Sequence, residues 1–287
     1  MPRKKTATLT LHCKDAPGIV AHISNFIFER GGNIITSHHH SDELNNQFFM
    51  RVHFDTEKLK LTNKNFEDDL AATASDYKME TVLSFSSNRK KMAVMVSKYD
   101  HCLYDLLLRH QYGEINADLS LIVSNHRDLE HVAKAFKIPF FYIPVTKETK
   151  VEAEGKQIEI FQQHNIDFIA MARYMQILSP KILDAYAYRI INVHHGFLPA
   201  FKGARPYHQA HEGGVKIIGA TSHFATAELD MGPIIDQETI RVDHTHSVES
   251  MLAMGRDVEK QVLATAIKAY AQDQIIVYKN RTIVFPE

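Results

Sequence analysis

The chain has 287 residues, 45% of them apolar, with 33 basic against 34 acidic side chains and a formal net charge of −1. That length and apolar fraction supply one large core or two ordinary ones, and a near-neutral chain with dispersed Lys and Arg lacks the basic stripe of a nucleic-acid binder. The only two cysteines, Cys13 and Cys102, are far apart and in no metal-like spacing, which excludes a disulfide framework and fits a reducing compartment.

The opening "MPRKKTATLTLHC" is basic but has no long apolar run and no small-residue cleavage site. No window approaches the roughly 20 apolar residues a spanning helix needs. A soluble, cytoplasmic, globular protein is expected, with neither membrane nor nucleic acid as partner. The N-terminal stretch reads β-α-β-β-α-β. "TATLTLHC" alternates, and "KDAPGIV" turns through Pro17 and Gly18. Ile19, Ile23 and Ile27, with Val20 and Phe26, repeat at helical spacing, and Gly31-Gly32 is a helix stop. "NIITSHHH" and "QFFMRVHF" are strands joined by the polar "SDELNN". "NFEDDLAATASDY" is a second helix, and "METVLSF" closes a ferredoxin-like sandwich of ~80 residues. The run His38-His39-His40 is internal; neighbouring strand residues face opposite ways, so a solvated strand end is expected rather than a metal site.

"SSNRKK", residues 86 to 91, is polar and charged and marks the predicted linker between a 1–85 domain and a 92–287 domain. Beyond it "MAVMVS", "LSLIVSN", "PFFYIPV", "DFIAMA" and "RIINV" are compact apolar runs. Helical patterns separate them: "YDLLLRHQ", "DLEHVAKAF", "KVEAEGKQIEIFQQHN" and "SPKILDAYA". Continuous apolar strands alternating with helices predict a mostly parallel, Rossmann-like α/β sheet covered on both faces. Strands "KIIGATSHF" and "GPIIDQETIRV", a long helix from "SVESM" to "AYAQ" and the hairpin "IIVYKNRTIVF" complete the chain.

In parallel sheets ligands sit beyond the C-terminal strand ends, and "NVHHGFLPAFKG", residues 192 to 203, lies at such an end. Asn192 and His194 are two apart and share a side if the strand persists, whereas His195 points the other way. An amide and an imidazole suit the oxygen of a carbonyl becoming tetrahedral. A carboxylate would complete the set. Asp230 in "ELDMGPI" is the candidate, with Glu228 second, because Gly232-Pro233 turn directly before a strand. No G-x-S-x-G elbow, G-x-x-x-x-G-K-[ST] loop or H-E-x-x-H occurs, so no nucleophilic side chain and no metal site stand out. Each piece also has an ordinary reading as a turn or cap residue. On residues alone, the chain reads as an α/β enzyme acting on a carbonyl.

"NVHHGFLPAFKG", "MARYMQILSP" and "HFATAELDMGPII" together resemble the formyltransferase family that uses 10-formyltetrahydrofolate. The three segments occur in that family's order, across roughly residues 90 to 285. The resemblance implies Asn192, His194 and Asp230 as catalytic residues and Met175, Gln176 and Leu178 as the border of the pterin site. "KDAPGIV" and "ERGGNI" resemble an ACT domain, which implies an amino-acid effector near Asp15, Gly18 and Asn33, or a role in assembling a homo-oligomer. An ACT domain joined to a formyltransferase-like domain resembles the formyltetrahydrofolate deformylase family. There water replaces the amine acceptor, the folate is the substrate and no cofactor is tightly bound.

A physical feature favours hydrolysis over transfer. The turn "VSKYDHCLYDLL" has no glycine where phosphate-binding relatives carry a glycine-rich loop, and Asp100 would repel a phosphate, although Lys98 and His101 attract anions. The chain departs from the family at Gly196, where many relatives have Ser, which puts in doubt a water-positioning role at that position. Formyl transfer to an amine and a non-catalytic folate-binding regulator are the rival readings. A nicotinamide enzyme is unsupported, since no G-x-G-x-x-G follows an early strand.

Overall fold

The computed structural model describes residues 4–60, 62–200 and 205–286. The chain forms two compact units: Met1–Arg89 with Gln272–Tyr278 and Ile283–Glu287, and Lys90–Ala271 with Lys279–Thr282.

In the first unit, β1 (Thr6–Lys14), α1 (Ile19–Glu29), β2 (Asn33–Asp42), β3 (Gln47–Asp55), α2 (Asn63–Ser75) and β4 (Glu80–Phe85) follow the expected βαββαβ order. The four strands pair antiparallel in the order β2-β3-β1-β4. Ala7, Leu9, Leu11 and Cys13 of β1 pack with Ile19, Ile23 and Ile27 of α1 and with Phe66 and Leu70 of α2. Period two on the strand and period 3.6 on the helix thus meet in one core. Gly31 ends α1 at φ +86, and a Cβ there would lie 2.3 Å from the Lys58 carbonyl oxygen, so only glycine fits. β2 runs on through the three histidines to Asp42, with His39 and His40 exposed and stacked on Phe48 and Phe49.

The second face of β1 is also covered, so Thr8 and Thr10 are buried. The cover comes from β12 (Ile275–Tyr278) and β13 (Arg281–Val284), which pair as a two-stranded ribbon. Phe49 packs with Ile276 and Phe285. Arg51 donates from Nε to the Asp273 carbonyl (3.0 Å) and from Nη2 to the Gln272 carbonyl (3.0 Å). This differs from the expected division at 86–91 with residues 92–287 in one domain. Lys90 and Lys91 already belong to a strand of the second unit, and residues 272–278 and 283–287 group with the first. Apolar burial of Phe49 draws the C-terminal strands there, a long-range pairing that a local polar stretch does not reveal.

The second unit contains β5 (Lys90–Val96), α3 (His101–Gln111), β6 (Ala117–Ser124), α4 (Glu130–Ala135), β7 (Phe140–Tyr142), α5 (Lys150–Gln163), β8 (Phe168–Met171), α6 (Pro180–Ala185), β9 (Ile190–His194), α7 (Pro206–Glu212), β10 (Ile217–Phe224), β11 (Ile234–Arg241) and α8 (Val248–Ala271). Its sheet has the order β11-β10-β9-β8-β5-β6-β7. The five strands from β9 to β7 are parallel, and β10 pairs antiparallel with both β9 and β11. Met92, Ala93, Val94, Met95 and Val96 are fully buried, as a strand with helices on both faces requires. β7 is only three residues long because Pro139 and Pro144 bracket it. α7 was not anticipated from the sequence; its signals are Pro206 at the first turn and Gly213 at its C-terminal cap.

Candidate active site

β9 ends at His194, and alternation along it sets Asn192 and His194 on one side of the sheet. β10 lies beside it with His223 opposite Asn192 and Thr221 opposite His194. Residues directly opposite in a ladder share a face, so His223 joins the pair, a residue the sequence reading passed over. The loop from β10 to β11 brings the carboxylate. Asp230 has φ 55, a left-handed backbone that Asp tolerates better than most residues. Two residues on, a Cβ at Gly232 would lie 1.8 Å from the Phe224 carbonyl oxygen. Glycine there lets the loop fold back onto the end of β10 and turn Asp230 inward. Glu228, the alternative carboxylate, is exposed.

The four side chains form a connected polar group. His194 Nδ1 is 3.2 Å from Asp230 Oδ2, and His223 Nε2 is 3.8 Å from Asp230 Oδ1. Asn192 Nδ2 is 3.2 Å from His223 Nε2. His223 Nδ1 is 2.9 Å from the Phe224 carbonyl, an atom that can only accept, so Nδ1 carries the hydrogen. Burial holds His223 below the ordinary imidazole pKa, against the opposing pull of the Phe224 carbonyl and Asp230. The neutral ring then has a lone pair at Nε2, and the Asn192 amide donates to it. This fixes the orientation of the amide and aims one of its N–H bonds away from His223. Burial pushes the Asp230 carboxyl up, but the His194 hydrogen bond and the neighbouring imidazoles outweigh it and hold Asp230 below the usual carboxylate range.

Asn192, His223 and Asp230 open onto a cleft lined also by Gln176, Leu178 and Leu229, while His194 stands beside Asp230 and is not part of the lining. Its inner cavity is about 40 Å³, room for water beside the carboxylate, and the rest faces solvent. Of the three residues expected to border a pterin, Gln176 and Leu178 line this cleft; Met175 does not, and its backbone N–H donates to Ser97 Oγ (2.9 Å). The segment leading out of β9 is clipped to β10. Thr221 Oγ1 donates to the Gly196 carbonyl (2.9 Å) and accepts from the Leu198 N–H (3.1 Å), while Gln237 donates to the Leu198 carbonyl (2.8 Å). Gly196 thus takes part through its backbone. Phe201, Lys202 and Gly203 of the motif lie outside the described residues.

A second buried polar group surrounds Glu259 of α8. It accepts from Tyr207 Oη (3.0 Å), lies 2.8 Å from His101 Nε2 and 3.5 Å from Arg173 Nε. His101 therefore faces a carboxylate. Burial raises Glu259, but the His101 hydrogen bond and the Arg173 charge outweigh it and keep the carboxyl below its ordinary value. His101, Cys102 and Glu259 place ligand-type atoms within 4.8 Å of one another, the one such group among the described residues. They suit a metal poorly. Burial and the Glu259 charge raise the Cys102 thiol well above its ordinary value, both Glu259 oxygens already have partners, and Arg173 adds positive charge. His195, whose ring lies 6.3 Å from that of Tyr207, is pushed down to about 3 by burial and then by Arg173.

In the first unit, Asp15 and Gly18 lie on the turn after β1, where Asp15 N–H donates to the Asn46 carbonyl (3.2 Å) and Gly18 has φ 92. Asn33 starts β2 opposite Asp55, which also pairs with Thr6 at the other end of β1. The expected effector residues are thus not brought together within one chain: Asn33 stands a nine-residue strand away from the other two.

An α/β unit with this antiparallel extension, an amide, two imidazoles and a carboxylate at the strand ends defines a formyltransferase-type fold. The family model described as "Formyl transferase" matches residues 90–267, and that described as "ACT domain" matches residues 7–70. A formyltetrahydrofolate deformylase from Synechocystis is 44% identical, covering 98% of each chain, and one from Bacillus subtilis is 43% identical, covering 96% of this chain and 93% of its own. The crystal structure of a formyltetrahydrofolate deformylase from Pseudomonas syringae superimposes with a TM-score of 0.97 at 40% identity, covering 100% of this chain and 96% of that one. Glycinamide ribonucleotide transformylase 1 from Symbiobacterium toebii is more distant, with a TM-score of 0.66 and 26% identity over 70% of this chain. The chain belongs to the formyltetrahydrofolate deformylase family, a family of hydrolases.

Proposed function

We propose that the protein hydrolyses 10-formyltetrahydrofolate to tetrahydrofolate and formate, with water as the nucleophile and no cofactor in the step. The observation that carries this reading is the convergence of Asn192, His223 and Asp230 on a water-sized cavity within a cleft, with His194 joined to them through Asp230. The folate lies over Gln176 and Leu178 with its formyl carbon near Asn192 and His194. A water held by Asp230 attacks that carbon. The Asn192 amide and His194 stabilise the oxygen as it gains charge. His194, with Asp230 on its Nδ1, then relays a proton to the tetrahydrofolate nitrogen, the C–N bond breaks and formate leaves.

Formate release from 10-formyltetrahydrofolate in the absence of any amine is the deciding measurement. Steady turnover supports hydrolysis. Formate that appears only as a formylated amine accumulates would establish transfer, and folate binding without turnover would establish a regulator. The ACT unit fits an amino-acid effector near Asp15 and Gly18, or an oligomer contact. Calorimetric titration with each amino acid and a sedimentation run separate these roles. The cytoplasm is the expected location; among the described residues no helix is long and apolar enough to cross a membrane.

A further inference from the structure

Helix α5 buries Ala153, Ile158 and Phe161, and on the same side it buries Glu154 (3% exposed) and Gln157 (0% exposed). Two long polar side chains at i and i+3 occupy positions that the core would fill with apolar residues. Both are spent on one segment. Gln157 Nε2 donates to Tyr174 Oη (3.0 Å). Glu154 accepts from the Ser179 N–H (3.0 Å) through Oε1 and from Ser179 Oγ through Oε2. A third anchor comes from the end of β5, where Ser97 Oγ accepts from the Met175 N–H (2.9 Å) and itself donates to the buried Asn125 Oδ1 (2.7 Å). The span from Tyr174 to Ser179 is neither helix nor strand, so no regular ladder dictates its path. It is pinned at both ends, and between the pins Gln176 and Leu178 line the cleft.

We infer that Glu154 and Gln157 are positioning residues for folate binding: they set the shape of the Tyr174–Ser179 segment so that Gln176 and Leu178 are preorganised for the pteridine. The inference rests on the reading that these two residues border the folate. Neither Glu154 nor Gln157 lines the cleft. Loss of an anchor therefore loosens a wall of the binding site and leaves Asn192, His194 and Asp230 in place, and a wall displaced by about an ångström costs up to ~100-fold in function.

The test is a KM-against-kcat comparison for formate release from 10-formyltetrahydrofolate, with thermal unfolding run beside it. Glu154→Ala and Gln157→Leu are expected to raise KM about tenfold, with kcat changed less than about twofold. Glu154→Gln keeps an oxygen for the Ser179 N–H and an amide that donates to Ser179 Oγ, so its KM is expected within about threefold of the unaltered protein. Should Glu154→Ala not fold, Ser179→Ala reads the same anchor from the other side and is expected to raise KM about threefold. Leu178→Ala separates the two levels. If it leaves KM unchanged, the folate assignment itself is wrong. If it raises KM while Gln157→Leu and the Glu154 or Ser179 variants do not, only the anchoring role is overturned. A fall in kcat at constant KM in the anchor variants would also overturn it.

Discussion

At the scale of the residue, the site depends on one buried imidazole that does not face the reacting carbon in the proposed chemistry. His223 takes a hydrogen bond from Asn192 and keeps that amide in a single orientation. His194→Ala and Asp230→Ala are each expected to cut formate release at least ~100-fold in folded protein, the scale of lost acid–base help. Asn192→Ala should remove ~3 kcal/mol of transition-state stabilisation, with folate binding retained. His223→Leu should lower kcat about tenfold with little change in KM, because the amide then rotates and its donor is unaligned for part of the time. Unchanged kcat in His223→Leu would dissociate it from Asn192. That Asn192 and His194 share a face and that Asp230 sits on a rim loop was legible from strand period and turn chemistry; the catalytic roles follow from the family resemblance alone. His223 was not legible: its role follows from the register of β10 against β9, a pairing between strands 31 residues apart at this point. Met175 illustrates the converse, since it sits inside the recognisable segment yet its backbone is turned to Ser97.

At the scale of the element, helix α8 carries Gly255 in its interior, where alanine ordinarily improves a helix by up to ~1 kcal/mol. Here a Cβ would lie 2.2 Å from the Tyr207 ring and hydroxyl. Gly255→Ala is therefore expected to destabilise the protein by about 1–3 kcal/mol, as overpacking does, and to disturb the Tyr207–Glu259 bond; denaturant unfolding checks the sign. Rising stability would show that Tyr207 moves aside at little cost. The same contact explains why α7 was missed. Its seven residues are too few to show a helical period, and what holds them is Tyr207 and Ala210 packing with Ile218, Val242 and Met251. By contrast, the apolar runs of β5, β6, β8 and β9 and the two β-α-β halves of the first unit were legible, since burial on both faces and strict alternation each leave a periodic trace.

At the scale of the whole molecule, buried imidazoles set a pH dependence. Burial lowers His195 to about 3 and depresses His223 as well. Each binds its proton less well in the folded state than in the unfolded chain, where imidazole titrates near ~6.5. The unfolded chain thus holds more protons as pH falls below ~6.5, and folding stability rises with pH across that window. Asp230 acts in the same direction at lower pH. Its depressed carboxyl contributes stability fully above the unfolded value of ~3.9, and the contribution is lost as pH falls through the folded value. The urea midpoint is expected to rise from pH 4 to pH 7, and the rise should shrink in His195→Gln. Equal slopes in the two proteins would show that His195 does not contribute.

Phe285 closes the small cluster over Phe49, although 236 positions separate the two along the chain. During synthesis Phe49 therefore waits uncovered, on a face otherwise made of Thr8, Thr10, His12 and Arg51, until more than two hundred further residues have emerged and Phe285 returns to it. A nascent polypeptide held short of Phe285 would present Phe49 to any chaperone it meets.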